Sequence, residues 1–363
     1  MTNIKLNKRT TSIIVLFYII ITSVLVIFCP KFSYSEYVVS DSFVLQNSSK
    51  IEEKNNYDVN DFGKHDFTFA AVGDWSCNKE AIKTASNILT TNPDIILGLG
   101  DYSYQKNMKC WKDVVKEIDP QKLKISFGNH EFESQSLAKQ YMDYTNVDQQ
   151  YYSFNHNNVH FIAMSTEAAY EEGSKQFKFV QDDLIKTKAN SSIDWIIVYY
   201  HQAMYTSKSN HEGLEIFRDV YHSLFEKFGV DLVLQGHLHN YQRTYPLLYN
   251  DENPTKPTII QAAVLGEGSG EDLYVDSQGT IFAIVGTGGQ EFHQLDDQPY
   301  FNAKQFEGYG FLEIKVVDNG NRLDGKFYGN DGEIKDKFSI EKSVYNQNDN
   351  HNLRLNSLEE TES

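Results

Sequence analysis

Short apolar runs alternate with longer amphipathic stretches in the first half of the chain. Apolar residues dominate Phe67–Val72, Asp94–Leu99 and Leu123–Phe127, and a glycine follows each of these runs. Between them, Lys79–Thr90 and Trp111–Ile118 have the composition and spacing of helices. Strands that alternate with helices favour parallel pairing, because a parallel connection needs a crossover. The pattern therefore predicts a β-α-β-α-β unit built on a parallel sheet.

The second half of the pattern adds a hairpin and a further set of strands. Tyr151–Phe154 and Val159–Met164 flank Asn157-Asn158, which predicts a β-hairpin. Helices are predicted over Ser174–Lys188 and Leu214–Phe228. Further strands are predicted over Trp195–Tyr200, Val230–Gln235, Ile281–Gly286, Gly310–Val316 and Arg322–Tyr328. The last three favour antiparallel pairing, so the sum predicts an α/β fold, a four-layer α/β/β/α sandwich of two mixed sheets.

The N-terminal segment stands apart from this pattern. Lys5, Lys8 and Arg9 precede an uncharged and mostly apolar stretch over residues 10–30. This arrangement is typical of a secretory signal peptide or a membrane anchor, and the apolar stretch is short for a spanning helix. We interpret residues 1–35 as a cleaved signal peptide, with an uncleaved anchor over residues 11–29 as the alternative. Either one predicts a secreted or extracytoplasmic protein.

Two polar segments bound the folded part. Residues 36–66 are rich in Asn, Ser and charged residues without periodicity, which predicts a linker. Residues 343–363 are predicted to be a disordered tail, which leaves residues 67–342 as one domain. The formal net charge of −17 disfavours a nucleic-acid partner, because such partners need a basic surface. A membrane partner is expected only through an uncleaved N-terminal segment, and no oligomeric state is indicated.

Residues able to bind metals follow five of the predicted strands. Such residues are expected at one rim, because α/β sheets collect their sites beyond the carboxyl ends of the strands. Carboxylates, an amide oxygen and imidazoles, without thiolates, suit Fe, Mn or Zn. A tetrahedral zinc site takes three or four ligands, so this larger set favours two ions that share a carboxylate. The residues are Asp74, Asp101, Asn129, His201 and the pair His237 and His239.

The motifs around these residues resemble a known family. The chain is similar to the calcineurin-like metallophosphoesterases in Gly73-Asp74, Gly100-Asp101, Gly128-Asn129-His130-Glu131, His201 and Gly236-His237-Leu238-His239. Most members begin with Asp-x-His, but Ser76 stands at that third position here. Gly100-Asp101-Tyr102-Ser103-Tyr104 instead resembles the Gly-Asp-x-x-Tyr of purple acid phosphatases, and the chain is closest in size to their small single-domain type. A phenol with a pKa near 10 becomes a ligand only beside a strongly charged ion such as Fe³⁺.

The resemblance implies a dinuclear metal centre of Fe³⁺ and a divalent ion, either Fe²⁺, Zn²⁺ or Mn²⁺. An aspartate bridges the two ions, and three further residues hold each of them. The implied residues are Asp74, Tyr104 and His239 for the ferric ion, Asn129, His201 and His237 for the divalent ion, and Asp101 as the bridge.

The resemblance also implies an activity, the hydrolysis of phosphate monoesters by a catalytic domain over residues 67–342. The substrate is a small phosphorylated molecule, and the nucleophile is a metal-bound hydroxide. His130 resembles a histidine that orients the substrate phosphate. His211 resembles a histidine that protonates the leaving group, and its alternative role is that of an ordinary surface residue.

Two alternatives to this activity are a di-zinc or di-manganese phosphodiesterase or nucleotidase on the same fold, and an inactive extracellular binding module. The second is disfavoured because every expected ligand is present. The cysteines leave a separate choice. Cys77 and Cys110 follow two strands that are expected to be neighbours, which favours a disulfide bracing the site over two free thiols.

Overall fold

The computed structural model describes residues 66–209, 212–261, 264–265 and 271–343. The predicted signal peptide or anchor, residues 1–35, lies outside the described residues. So do residues 36–65 of the predicted linker and residues 344–363 of the predicted tail. Within the described ranges, no helix is long and apolar enough to span a bilayer.

The helices carry recognisable end signals in the sequence. The described residues contain five α-helices: α1 (Lys79–Thr91), α2 (Lys109–Val114), α3 (Gln135–Thr145), α4 (Lys175–Ala189) and α5 (Glu215–Phe228). The side chains of Asn78, Ser134 and Ser174 accept backbone N–H bonds at the starts of α1, α3 and α4. Gly229 ends α5 in the left-handed conformation that glycine favours.

Three of these helices match the predicted ranges to within a residue, and α2 does not. It was expected over Trp111–Ile118, but it begins at Lys109 and ends at Val114. Asp119 precedes Pro120 and is extended, as steric contact with the proline ring requires. The chain therefore leaves the helix ahead of that dipeptide, through a turn over residues 115–118.

The strands fall into two large sheets and one small one. In chain order, the strands of the described residues are β1 (Phe67–Val72), β2 (Ile95–Leu99), β3 (Leu123–Ser126), β4 (Tyr152–His156), β5 (Val159–Ala163), β6 (Trp195–Tyr199), β7 (Leu232–Gln235), β8 (Tyr241–Thr244), β9 (Leu247–Leu248), β10 (Thr258–Ile259), β11 (Val264–Leu265), β12 (Asp272–Val275), β13 (Ile281–Val285), β14 (Asn302–Phe306), β15 (Gly310–Val317), β16 (Arg322–Gly329) and β17 (Ile334–Glu341). The first sheet has the order β11-β12-β17-β16-β15-β1-β2-β3, and the second has the order β14-β8-β13-β7-β6-β5-β4.

Both large sheets are mixed, as predicted. In the first, β1, β2 and β3 are parallel, while β1, β15, β16 and β17 are antiparallel in succession. In the second, β5, β6 and β7 are parallel, and β4 pairs with β5 as the predicted hairpin. The prediction that β13 is antiparallel was wrong in part, because it lies parallel to β7 and antiparallel only to β8. Every residue of β13 is buried, which is typical of a strand within a parallel set.

The two sheets pack face to face with helices outside. Phe69 of β1 meets Phe161 of β5 edge-on between the sheets, with ring centroids 5.3 Å apart. On the outer face of the second sheet, Val180 and Leu184 of α4 and Phe217 of α5 form another buried cluster. Helix α1 contacts β15 of the first sheet. The fold is therefore the predicted α/β arrangement of two mixed sheets with helices.

Candidate metal centre

Backbone hydrogen bonds join the carboxyl ends of strands from both sheets. The N–H of Asp74, after β1, donates to Gly100 O after β2 at 3.0 Å, and Gly73 N donates across the sheets to Val285 O of β13 at 2.9 Å. In the second sheet, Gly236 N donates to His201 O at 2.8 Å. These bonds form one rim, where the structure gathers the seven predicted ligand residues and His130.

One group of side chains at this rim could hold a metal ion. Asp101, His201 and His237 each offer a ligand atom, and these atoms lie within 4.8 Å of one another. His201 Nε2 is 3.2 Å from Asp101 Oδ2 and 3.2 Å from His237 Nδ1. The other nitrogen of His201, Nδ1, donates to Leu99 O at 2.8 Å. Because a carbonyl can only accept, the proton lies on Nδ1 and Nε2 is left to face the group.

A second group of side chains lies beside the first. The Tyr104 hydroxyl is 3.0 Å from Asp74 Oδ1 and 2.9 Å from His239 Nε2. His239 Nδ1 donates to Glu291 O at 2.7 Å, so its Nε2 faces the group as an acceptor. The hydroxyl has one hydrogen and cannot donate to both neighbours at once. The Tyr104 hydroxyl oxygen, Asp74 Oδ1 and His239 Nε2 therefore share a single proton. Such a cluster of potential ligand atoms suits a bound cation.

Asn129 and His130 complete the rim from the turn after β3. Asn129 Oδ1 is buried and has no hydrogen-bond partner in the structure. An unpaired buried acceptor costs about 1–3 kcal/mol, which a bound cation would offset. His130 N donates to Asp101 Oδ1 at 3.0 Å, and its Nδ1 pairs with Glu133 Oε1 at 2.8 Å. The His130 side chain is 31% exposed and faces the open side of the rim.

The backbone at the rim is strained. Asp74, Asp101, Tyr104 and His237 have φ values of 57°, 54°, 52° and 68°, in the left-handed region that side chains disfavour. Each such residue costs on the order of 1 kcal/mol or more, and strain of this kind clusters at functional sites. Gly236 lets the rim close, since a Cβ there would lie 2.7 Å from Asp74 Oδ2.

Burial and neighbouring charges shift pKa values in both groups. Burial alone would raise the pKa of Asp101, but His201 outweighs it and lowers that pKa to about 2. Burial would lower the pKa of His201, but Asp101 raises it to about 10. For Tyr104, burial and the carboxylate of Asp74 both raise the pKa well above 10. The phenol therefore stays protonated unless a strongly charged ion offsets the carboxylates.

Glu131 holds the loop that carries Asp101, a role that the sequence did not indicate. Its buried carboxylate accepts N–H bonds from Asp101 at 2.8 Å, Tyr102 at 2.9 Å and Gly128 at 2.9 Å. Burial and the charge of Asp101 raise the pKa of Glu131 to about 8, although these three donors favour its charged form. The motif Gly128-Asn129-His130-Glu131 contained this residue, but only the fold shows which N–H groups it reaches.

The predicted disulfide between Cys77 and Cys110 is present, with the two Cα atoms 5.7 Å apart. It ties the loop after Asp74 to the first turn of α2, just beyond Tyr104. The predicted site residue His211 lies outside the described residues, so the structure gives no position for it.

The sequence is similar to that of a known protein family and of several of its members. Residues 67–241 match the profile of the calcineurin-like phosphoesterase family. The chain is 24% identical over 264 residues to purple acid phosphatase 15 of Arabidopsis thaliana, covering 62% of this chain and 49% of that protein. It is 23% identical over 279 residues to the probable inactive purple acid phosphatase 1 of the same plant, covering 69% and 43%. The chain thus spans about half the length of the curated relatives it matches.

A solved structure shares the fold. A purple acid phosphatase from yellow lupin (Lupinus luteus) seeds aligns with a TM-score of 0.61 at 18% identity, covering 78% of this chain and 55% of that one. At this identity, the likeness establishes the common fold of two mixed sheets and helices.

Proposed function

The chain is a purple acid phosphatase-like metallophosphoesterase, and from that premise we propose that it hydrolyses phosphate monoesters with two metal ions. The observation that carries the proposal is the position of the Tyr104 hydroxyl. It lies between Asp74 and His239, beside the separate group of Asp101, His201 and His237. A phenol in that place supports a ferric site over a pair of zinc ions.

The donor set fits two ions of different character. The phenol, a carboxylate and one imidazole suit Fe³⁺, and an amide oxygen with two imidazoles suits a divalent ion. When bound, the ions would supply positive charge to the phosphate oxygens and activate water. The proposed ligands are Asp74, Tyr104 and His239 for Fe³⁺, Asn129, His201 and His237 for the divalent ion, and Asp101 for both.

Asp101 is the residue best placed to serve both ions. Its Oδ2 faces His201 Nε2 at 3.2 Å, in the first group, and its Oδ1 accepts the His130 N–H. The Asp74 loop is bonded to the Asp101 loop, since Trp75 N donates to Asp101 O at 2.9 Å. The chain therefore fixes the two carboxylates relative to each other through its backbone.

His130 is proposed to position the substrate phosphate. Its Nδ1 is held by Glu133, so Nε2 remains for a ligand at the open side of the rim. Nε2 is 3.8 Å from Asp101 Oδ2, which is near enough to meet a phosphate oxygen bound at the centre. His211 is proposed to donate a proton to the leaving alkoxide. The Cys77–Cys110 disulfide supports an extracytoplasmic location, where such bonds persist.

The test compares two substrates on the purified full chain. Under acidic conditions, we expect kcat/KM for p-nitrophenyl phosphate, a monoester, to exceed that for bis(p-nitrophenyl) phosphate, a diester. We also expect a metal chelator to abolish the activity. A higher kcat/KM for the diester would instead establish the phosphodiesterase alternative. Absence of both activities in metal-loaded protein would favour an inactive binding module, despite the complete donor set.

A further inference from the structure

His293 lies flat against the imidazole of His239. Their ring centroids are 4.0 Å apart and their planes differ by 17°. His293 belongs to none of the motifs that identified the site, and it follows β13 in a loop without regular structure. It is the neighbour of a proposed ferric ligand and has no assigned role.

Two hydrogen bonds join this pair, and a third holds His239 to the same loop. His293 N donates to His239 O at 2.9 Å, and His239 N donates back to His293 Nδ1 at 3.2 Å. His239 Nδ1 donates to Glu291 O at 2.7 Å. We call residues 291–293, with these bonds to His239, the His293 clasp.

The clasp fixes the imidazole of His239 in two ways. The stacked ring blocks one face of the imidazole, and the bond to Glu291 holds the edge that carries Nδ1. Nε2 is thereby turned towards the Tyr104 hydroxyl, 2.9 Å away, and Asp74 Oδ1, 3.5 Å away. Because His293 Nδ1 accepts a hydrogen bond, the neutral His293 ring carries its proton on Nε2, so the stack does not force two like charges together.

We propose that His293 is a positioning residue for the ion held by Asp74, Tyr104 and His239. It acts through His239 by holding the direction of Nε2, and it does not itself bind the ion. This inference rests on the proposed function, because that function supplies the ion. Residues that orient a metal ligand typically change metal affinity by about ten- to a hundredfold when they are lost.

Three substitutions separate the two parts of the clasp. His293→Ala removes both the ring and the acceptor. His293→Asn keeps an acceptor near the position of Nδ1 but loses most of the ring, and His293→Phe keeps a flat ring without the acceptor. His156→Ala is the matched control, because His156 also contacts an aromatic ring, that of Phe67 with centroids 4.5 Å apart and planes tilted by 59°, but at the opposite end of β1 from the rim.

The measurement is metal content per chain together with visible absorption, on full chains whose folding is checked by circular dichroism. We expect His293→Ala to bind the ion at Tyr104 about ten- to a hundredfold more weakly, with loss of the absorption, while the other ion remains. His293→Asn should restore most of the affinity, His293→Phe should fall between, and His156→Ala should match the wild type.

The outcomes distinguish this inference from the proposed function. A folded His293→Ala chain with both ions and unchanged absorption would overturn the inference alone. Equal loss of both ions would also overturn it, since the clasp is proposed to act through His239, a ligand of one ion. A wild type without bound metal would overturn the proposed function as well. If the wild type held two ions but were colourless, the metal content of His293→Ala alone would decide the inference.

Discussion

Two clusters of buried charge among the described residues differ in whether the chain supplies each charge with a permanently charged partner. Arg243 of β8 is fully buried, and it binds Asp336 at 2.7 Å and Asp272 at 2.7 Å. At the rim, Asp74 and Asp101 are equally buried, but their ion-pair partners among the described residues are histidines. The first cluster contains a permanent cation, whereas the second contains groups that can only share protons.

The difference separates a structural cluster from a functional one. A buried charge is tolerated when the chain supplies its partner, as Arg243 does for two strands of the other sheet. The rim leaves carboxylates, imidazoles, a phenol and an amide oxygen facing one another, and four of these residues, Asp74, Asp101, Tyr104 and His237, have left-handed backbone. In the metal-free chain, protons on the histidines offset the carboxylate charge, and bound cations would replace those protons, which is consistent with a metal centre.

The largest expected effect comes from Asp101→Asn. Losing the shared carboxylate removes support for both ions, and their several kcal/mol of transition-state stabilisation correspond to more than about a thousandfold in rate. The free energy of unfolding of the metal-free chain should change by much less than the activation free energy, because the substitution also removes a buried charge. Steady-state kinetics with p-nitrophenyl phosphate and urea unfolding measure the two quantities. Retention of a tenth of the activity would show that Asp101 is not shared.

Asp336→Ala should show the opposite behaviour. It leaves Arg243 buried with only Asp272 as its acidic partner, and breaking a buried ion pair costs about 3 kcal/mol or more. We expect a loss near that value in urea unfolding, with kcat unchanged in the folded protein. The comparison would fail if the variant lost activity while its stability stayed the same.

Tyr104→Phe tests the rim more finely. Asp74 and His239 remain, so the ion should bind roughly ten- to a hundredfold more weakly and the visible absorption should disappear. The second ion should be retained, since its proposed ligands are untouched. The matched control is Tyr102→Phe, two residues away, whose hydroxyl donates to Ser126 O and accepts from Gly100 N, and which is not a proposed ligand. Loss of absorption in Tyr102→Phe but not in Tyr104→Phe would show that Tyr104 is not the ligand.

The smallest effect is a pH dependence in the Arg243 cluster. Burial would raise the pKa of Asp336, but Arg243 outweighs it and holds that pKa below the ordinary 3.8. A lowered folded-state pKa means that the stabilisation is full above about pH 4 and is lost as pH falls through the folded value. The difference in unfolding free energy between wild type and Asp336→Asn should therefore stay constant from pH 7 to pH 4 and shrink below it. A difference that grew on acidification would contradict the pairing.

The sequence predicted the parts of the molecule that depend on local pattern. Apolar runs followed by glycine predicted β1, β2 and β3. The polar residue after each glycine was predicted to lie at the rim, and these residues are Asp74, Asp101 and Asn129. Alternation could not reveal that β13 is parallel to β7, because pairing direction depends on which distant strand lies beside it. Strand β17, which carries Asp336, was also missed, although Phe338 and Ile340 alternate there with polar residues.

Contacts between distant segments explain what the sequence missed at the site. The Glu131 carboxylate binds N–H groups of two separate loops, and His293 meets His239 only after β13 has been placed. No local pattern marks His293, and the motif that contains Glu131 does not show which N–H groups its side chain reaches. The left-handed backbone at Tyr104 is likewise imposed by closure of the rim, since a bulky side chain disfavours that conformation.

Anomalous diffraction at the iron edge, on crystals of the metal-loaded protein, tests the central claim most directly. We predict an iron peak between Asp74, Tyr104 and His239, and a second metal peak beside Asn129, His201 and His237, with Asp101 between the two. A single peak within Asp101, His201 and His237, with Tyr104 still bonded to Asp74, would contradict the dinuclear centre.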